Sequence, residues 1–215
     1  MKAAFILSVI VGFAGVLAGA HFYPWVQPVR LPSHTSVVAN GGRAEQFVIR
    51  LPTDRVHEAG TAAVGLRGVA RPAAAKLPDD LAEGALLVEH FKVRDADDQV
   101  IGVAARHWTN TPDGWAAAWA LMIPGRGTLY MTGPGESAAR LDAALARAGF
   151  MPGAPWSGEL TVEVLGEGAG KIVGGSDEFE RLVGTYGERW TVTGVAADGE
   201  LAGTITLATV TRAGS

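Results

Sequence analysis

Acid–base, nucleophilic and metal chemistry need particular side chains at particular spacings, and few stretches of this chain qualify. His57, His90 and His107 carry the imidazoles of the long C-terminal region. None is spaced as HxH, HxxxH or HExxH, so a zinc site would need assembly from distant strands. There is no GxSxG elbow for a serine nucleophile. The run Gly166-Glu167-Gly168-Ala169-Gly170-Lys171 lacks P-loop order, and no Ser or Thr follows Lys171. The chain has no cysteine. That excludes a thiol nucleophile, a disulfide scaffold, thiolate-ligated zinc or iron–sulfur sites, and blue copper. No catalytic residue, no metal and no cofactor is therefore assigned.

The aromatic residues carry more information. Trp115 and Trp119 share one face of a segment whose other face is Ala116, Ala118 and Ala120. Tyr186, Glu188 and Trp190 alternate in phase on another segment, which places a carboxylate among rings. Glu89-His90 and Arg106-His107 lie on the two arms of one hairpin, where they could face each other. Glu89, Trp108, Trp119, Tyr186, Glu188 and Trp190 thus form a candidate site for a small apolar ligand, with a buried carboxylate suited to acid or base work. The competing reading is that these rings are simply core.

Short alternating strands must position these residues. Strands are expected over 47–51, 63–69, 85–93, 99–108, 114–123, 128–132, 159–165, 184–195 and 200–211, with 54–84 otherwise rich in loops. Asn110-Thr-Pro-Asp-Gly114 and Asp198-Gly199 are turn signals with a backbone mechanism, since Pro presets φ and Gly supplies positive φ. One helix is expected over 136–148, with Ala138, Leu141, Leu145 and Ala148 on one face and Gly149 as its stop. Gly 29 and Pro 11 against 7% aromatic residues fit many turns. The pattern implies a mainly β fold, an antiparallel barrel or sandwich with one short helix.

The amino terminus differs in kind. Lys2 is the only charge before Arg30, and Ala3 to Ala20 is apolar apart from Ser8. At ~1.5 Å rise per residue, this run nearly spans a hydrocarbon core of ~30 Å. Two readings compete: an uncleaved signal anchor with Phe22, Tyr23 and Trp25 at the interface, and a secretory signal cleaved after Ala18-Gly19-Ala20. The length of the apolar run favours the anchor. Ser8, Gly12, Gly15 and Gly19 form two small-xxx-small pairs, a helix-packing spacing. The organisation read from these segments is an anchor at 1–24, an extended Pro/Gly linker at 25–45 and an extracytoplasmic barrel domain at 46–215. A bacterial inner membrane, with the domain in the periplasm, is the expected location.

Lys171-Ile172-Val173-Gly174-Gly175-Ser176-Asp177-Glu178-Phe179-Glu180-Arg181-Leu182-Val183-Gly184-Thr185-Tyr186 resembles a segment of the allene oxide cyclase and dirigent superfamily. Those eight-stranded barrels carry a strand ending in I-x-GG-[ST]-G-x-[FY], a short turn, and a final pair of Gly-rich strands. The resemblance runs over about 170–208 and takes in Glu188, Trp190 and Gly203-Thr204-Ile205-Thr206-Leu207. Asp177 stands where the family usually has Gly. The resemblance implies an eight-stranded antiparallel barrel, with Phe179 and Leu182 plugging one end. It carries over no catalytic residue.

The expected role is a membrane-anchored, non-catalytic barrel serving as an accessory or scaffold subunit of a membrane protein complex. The alternative is an apolar-ligand barrel, or an isomerase or cyclase of allene oxide cyclase type. A net charge of -4 argues against a nucleic-acid partner, which would need a basic face. The bilayer, met through residues 3–23, is the other expected partner.

Overall fold

A computed structural model describes residues 9, 11–13, 15 and 16, then 35–38, 42–60, 86–111, 114–134, 136–164 and 170–214. The chain divides into two units, Met1–Arg30 and Leu31–Ser215.

In the first unit the described residues are helical, Gly12 and Gly15 among them, and Val9, Val11, Phe13 and Val16 are exposed. Ser8, Gly19 and most of the expected anchor lie outside the described residues. Among the described residues, no helix is long and apolar enough to cross a membrane.

Among the described residues, the second unit has eleven strands: β1 Thr35–Val38, β2 Gly42–Leu51, β3 Arg55–Gly60, β4 Leu86–Arg94, β5 Val100–Thr111, β6 Gly114–Ile123, β7 Gly127–Pro134, β8 Trp156–Val164, β9 Gly170–Gly175, β10 Leu182–Val195 and β11 Leu201–Ala213. The order is β1-β2-β11-β10-β9-β7-β6-β5-β4-β3, and β2 also pairs β4. That last pairing closes β2, β4, β5, β6, β7, β9, β10 and β11 into an eight-stranded antiparallel barrel. Closure removes the open edges of those strands. β1, β3 and β8 branch from it, on β2, β4 and β10.

The alternation read from the sequence sets which side chains fill the barrel. On β10, Tyr186, Glu188, Trp190 and Val192 are buried, while Arg189 and Thr193 are exposed. On β11, Ile205, Leu207, Thr209 and Thr211 are buried. The register stacks Phe47 beside Leu207 and Ile49 beside Ile205. With Phe91, Trp119, Leu121, Leu129, Met131 and Ile172 these residues belong to one apolar cluster.

The seam of the barrel is the β2–β4 contact, whose single ladder pair sets Val48 opposite Arg94. Asp54, fully buried in the turn between β2 and β3, reinforces it. Its carboxylate accepts from Arg94 Nη2 at 2.8 Å, from Arg94 Nε at 2.9 Å and from the Arg50 N–H at 2.8 Å. The Lys92 N–H donates to the Asp54 carbonyl at 2.8 Å. Burial pushes the Asp54 carboxyl up, but the Arg94 guanidinium, the Arg50 N–H and the charge of Lys92 together hold it below the usual range.

The helix spans Glu136–Arg147. Leu141, Ala144 and Leu145 are its buried face, whereas Ala148, expected there, is exposed. It ends in a Schellman arrangement: the Phe150 N–H bonds the Leu145 carbonyl at 2.9 Å and the Gly149 N–H bonds the Ala146 carbonyl at 3.1 Å, with Gly149 at φ 81. Trp156 Nε1 takes up another late carbonyl, that of Ala148, at 3.1 Å.

Three details of the chain differ from the sequence reading. Thr35–Val38, within the stretch read as linker, is extended but pairs with β2. β3 and β9 lack clean apolar alternation, and both pair through bulged registers. The strand expected at 63–69 lies outside the described residues, as does most of Gly166–Lys171.

Candidate functional site

The barrel interior carries two clusters of buried charge. The larger is centred on Arg106 of β5, which is 2% exposed. The β4–β5 register sets Arg106 opposite Glu89, and the β5–β6 register sets it opposite Trp119. Glu89 lies within the same wall, 1% exposed. Its Oε2 accepts from Arg106 Nε at 2.8 Å, from Arg106 Nη2, and from Trp108 Nε1 at 3.1 Å. Its Oε1 accepts from Arg55 Nη2 of β3 at 3.2 Å.

Glu188 enters from β10, across the barrel. Its Oε1 accepts from Trp190 Nε1 and, at 3.4 Å, from Arg106 Nη1, while its Oε2 accepts from Trp119 Nε1 at 3.0 Å. The guanidinium carbon of Arg106 lies 4.8 Å from the Trp108 ring centroid, 5.0 Å from Trp119, 4.8 Å from Trp190 and 5.4 Å from Phe91. It is a cation inside an aromatic cage, with a carboxylate on either side. Ring quadrupoles and anions both attract the guanidinium there.

The sequence expectation grouped Glu89, Trp108, Trp119, Tyr186, Glu188 and Trp190, and all six line this interior. Tyr186 stands two residues before Glu188, its ring against the backbone of Gly170 and its hydroxyl beside Gly133. Burial first, and the charge of Glu188 second, push the Tyr186 phenol above its ordinary range. The side chain of Trp115 lies outside the described residues. The sequence reading that Glu89 and Arg106 could face each other across the hairpin agrees with the register, but it missed Arg106 as the centre, and Arg55 and Phe91 as its neighbours. Arg106 alternates in phase with Ala104 and Trp108, the signal that sends it into the barrel beside Glu89.

Every oxygen of Glu89 and Glu188 accepts at least one hydrogen bond from an Arg or an indole. Each carboxylate is held as an acceptor within a neutralised group, which is a structural use of charge.

The second cluster closes the barrel end formed by the β6–β7 turn and the β9–β10 connection. Arg126, 2% exposed, donates from Nη2 to Glu45 at 2.6 Å and to Glu178 at 3.1 Å, and stacks 4.9 Å from the Phe179 centroid. Arg43 adds a bond to Glu178 at 2.7 Å. Burial raises the Glu178 carboxyl, but Arg126 and Arg43 hold it below the usual range. Phe179 is buried and Leu182 packs partly buried against the core, so both sit where an end plug was expected. Asp177, standing where the resembled family has Gly, adopts φ 52, a left-handed conformation that Gly takes without cost.

Among the described residues, no group of three His, Cys, Asp or Glu side chains converges on a metal position. His90 and His107 lie on the outer wall, alternating with the inward Glu89 and Arg106. Partial burial, then the charge of His90, hold His107 below the ordinary histidine range.

No family model matches the chain, and no curated protein matches it. One solved structure, described as "Crystal structure of fusion DH domain", is 11% identical, covering 88% of this chain and 95% of that one. Its TM-score of 0.15 lends it no weight on fold or function.

Proposed function

We propose that this chain is a membrane-tethered, non-catalytic barrel acting as an accessory or scaffold subunit of a membrane protein assembly. The observation that carries this reading is the use made of the interior. The carboxylates best suited to chemistry, Glu89 and Glu188, are committed to Arg106, Arg55 and three indole N–H groups within a packed core. What remains available is the outer wall. There Val103, Met122, Tyr130, Val173 and Val183 are exposed at 42%, 39%, 48%, 58% and 40%, on the consecutive strands β5, β6, β7, β9 and β10. Exposed apolar residues gathered on one wall suit a protein partner. The apolar stretch from Ala3 to Ala20 supports a bilayer tether, with Ser8, Gly12, Gly15 and Gly19 as a face for other membrane helices.

A photo-crosslinking residue at Tyr130, set against one at the exposed Gln46 of β2, tests the reading in native membranes. Adducts to a discrete membrane protein from position 130 and none from position 46 are expected. A monomer that crosslinks from neither position, and leaves gentle detergent extraction alone, would overturn it.

A second reading, an apolar-ligand barrel or an isomerase of allene oxide cyclase type, draws support from the convergence of Glu89, Trp108, Trp119, Tyr186, Glu188 and Trp190. It requires Arg106 to vacate the cage. The closed eight-stranded barrel, the Gly174-Gly175 strand exit and the left-handed Asp177 support kinship with that superfamily.

A further inference from the structure

The eight strands of the barrel sort their charges by side. They carry three carboxylates, Glu45, Glu89 and Glu188, and all three are buried. The charged side chains that these strands place on the outer wall are cations. Arg50 and Arg94 are tied to Asp98 and Asp54, while Lys92, Lys171 and Arg212 are exposed. In a chain of net charge -4, the barrel wall thus presents no outward carboxylate among the described residues. Exposed carboxylates such as Asp98 and Asp177 stand in the turns beyond the strand ends.

The cations frame the exposed apolar residues of the same wall. Lys92 is opposite Val103, and Val103 is opposite Met122. Tyr130 is opposite Ala120 and Met122 is opposite Thr128, so Tyr130 and Met122 are diagonal neighbours. Val173 is the extra residue of β9, between the partners of Tyr130 and Met131. On the next strand Val183 is opposite Arg212. Lys171, one outward step from Val173, is opposite Thr132 and Thr185. An apolar stripe results, with Lys92 at one end, Arg212 at the other and Lys171 along its side. Beside it Ala105 and Ala120, opposite each other, keep the wall low.

The stripe follows the curve of the barrel. From β4 to β11 it crosses seven of the eight strands. Six steps of about 4.8 Å make about 29 Å at the backbone, and more at the side-chain tips. A flat bilayer surface meets only one side of a closed barrel. An extended peptide, at about 3.3 Å per residue, follows the whole path with about nine residues or more.

We propose that the partner presents to this wall an extended segment with aliphatic or aromatic side chains in its middle and carboxylates toward its ends. Its apolar side chains cover the stripe, and its carboxylates meet Lys92, Lys171 and Arg212. Opposite potentials then set the choice of partner and its register. The segment belongs to the membrane protein of the scaffold reading, on which the assignment rests.

The test uses the full-length chain in native membranes, with the photo-crosslinking residue at position 130 and mass spectrometry of the crosslinked peptide. A protein adduct whose crosslinked segment carries carboxylates on both sides of an apolar stretch is expected. K92E/K171E/R212E should lower its yield by about tenfold or more, since three attractions become repulsions. Raising salt from about 0.05 M to about 0.5 M should lower the parent's yield and not the variant's. Arg147→Glu, on the helix, should leave the yield unchanged. If the triple Glu variant fails to fold by circular dichroism, K92Q/K171Q/R212Q removes the charges without reversing them and should still lower the yield. A protein adduct that survives in the charge variants, or whose segment lacks carboxylates, would overturn the acidic segment and leave the scaffold reading standing. An adduct to lipid alone, or none from position 130, would overturn both.

Discussion

Substituting Arg106 by Met keeps the approximate length of the side chain and removes the charge at the centre of the cage. Glu89 then loses two hydrogen bonds from one guanidinium, and Glu188 loses its cation altogether, retaining the indoles of Trp119 and Trp190. Breaking a buried pair by removing one partner costs about 3–5 kcal/mol, because the other charge stays buried. Against a total stability of about 5–15 kcal/mol, that is a large share. For a domain of this size, 1 kcal/mol moves Tm by about 2–4 °C, so about 4 kcal/mol predicts a fall of roughly 8–16 °C. Glu89→Gln should cost a similar amount, because it leaves Arg106 buried against a neutral amide. The double variant is the informative one. Once either partner is gone the other contributes little, so R106M/E89Q should be about as stable as either single variant, which makes the coupling energy as large as one single cost, about 3–5 kcal/mol. Urea unfolding followed by far-UV circular dichroism avoids the tryptophans at the site. Costs that add to within about 0.5 kcal/mol, or an R106M cost below about 1 kcal/mol, would refute the reasoning.

The seam and the barrel end make a pH prediction. Asp54 and Glu178 both have depressed folded pKa values, so their contribution is present above the ordinary carboxylate range and is lost as pH falls through the folded values. The urea midpoint should fall on acidification below about pH 4, and Asp54→Asn should flatten part of that fall while the Glu178 share persists. Tyr186 acts at the other extreme: its raised pKa means stability that is full below about pH 10 and lost as pH rises toward the folded value. Alkaline unfolding curves of Tyr186→Phe against the parent measure it, and identical curves would remove the claim. Two glycines give a contrast: an added Cβ at Gly170 would lie 1.7 Å from the Tyr186 ring, whereas at Gly149 nothing stands within 4 Å and only φ 81 opposes it. Gly170→Ala should cost about 1–3 kcal/mol, and Gly149→Ala about 1 kcal/mol, by thermal unfolding.

The longer strands were legible because one face is buried and the period of two shows through, as in Tyr186, Glu188, Trp190 and Val192. The helix was legible from its spacing and from Gly149. β3 and β9 were not, since Arg-Val-His-Glu-Ala-Gly and Gly-Lys-Ile-Val-Gly-Gly mix polar and glycine residues and both pair through bulges, which local pattern does not encode. The candidate site was legible as a group of faces, because alternation alone sends Glu89, Trp108, Trp119, Glu188 and Trp190 to one side of their strands. Its centre was hidden by residue type. An arginine in phase with apolar neighbours reads as surface until a register supplies the carboxylate that neutralises it.

Barrel closure has a consequence for how the chain is made. β2 meets β4 at one ladder pair, whereas it meets β11 from Leu51 opposite Gly203 to Arg43 opposite Thr211. The bond from Thr209 Oγ1 to the Glu45 carbonyl spans 164 residues of sequence. During synthesis from the amino terminus, β2 emerges long before its principal neighbour and waits for it until β11 has been added. Until then its hydrogen-bonding edge, with Phe47 and Ile49 beside it, is available to any other extended chain. A ribosome stalled before Leu201 therefore holds an open sheet with a sticky β2. Completion of the 13 residues of β11, Leu201–Ala213, closes the barrel.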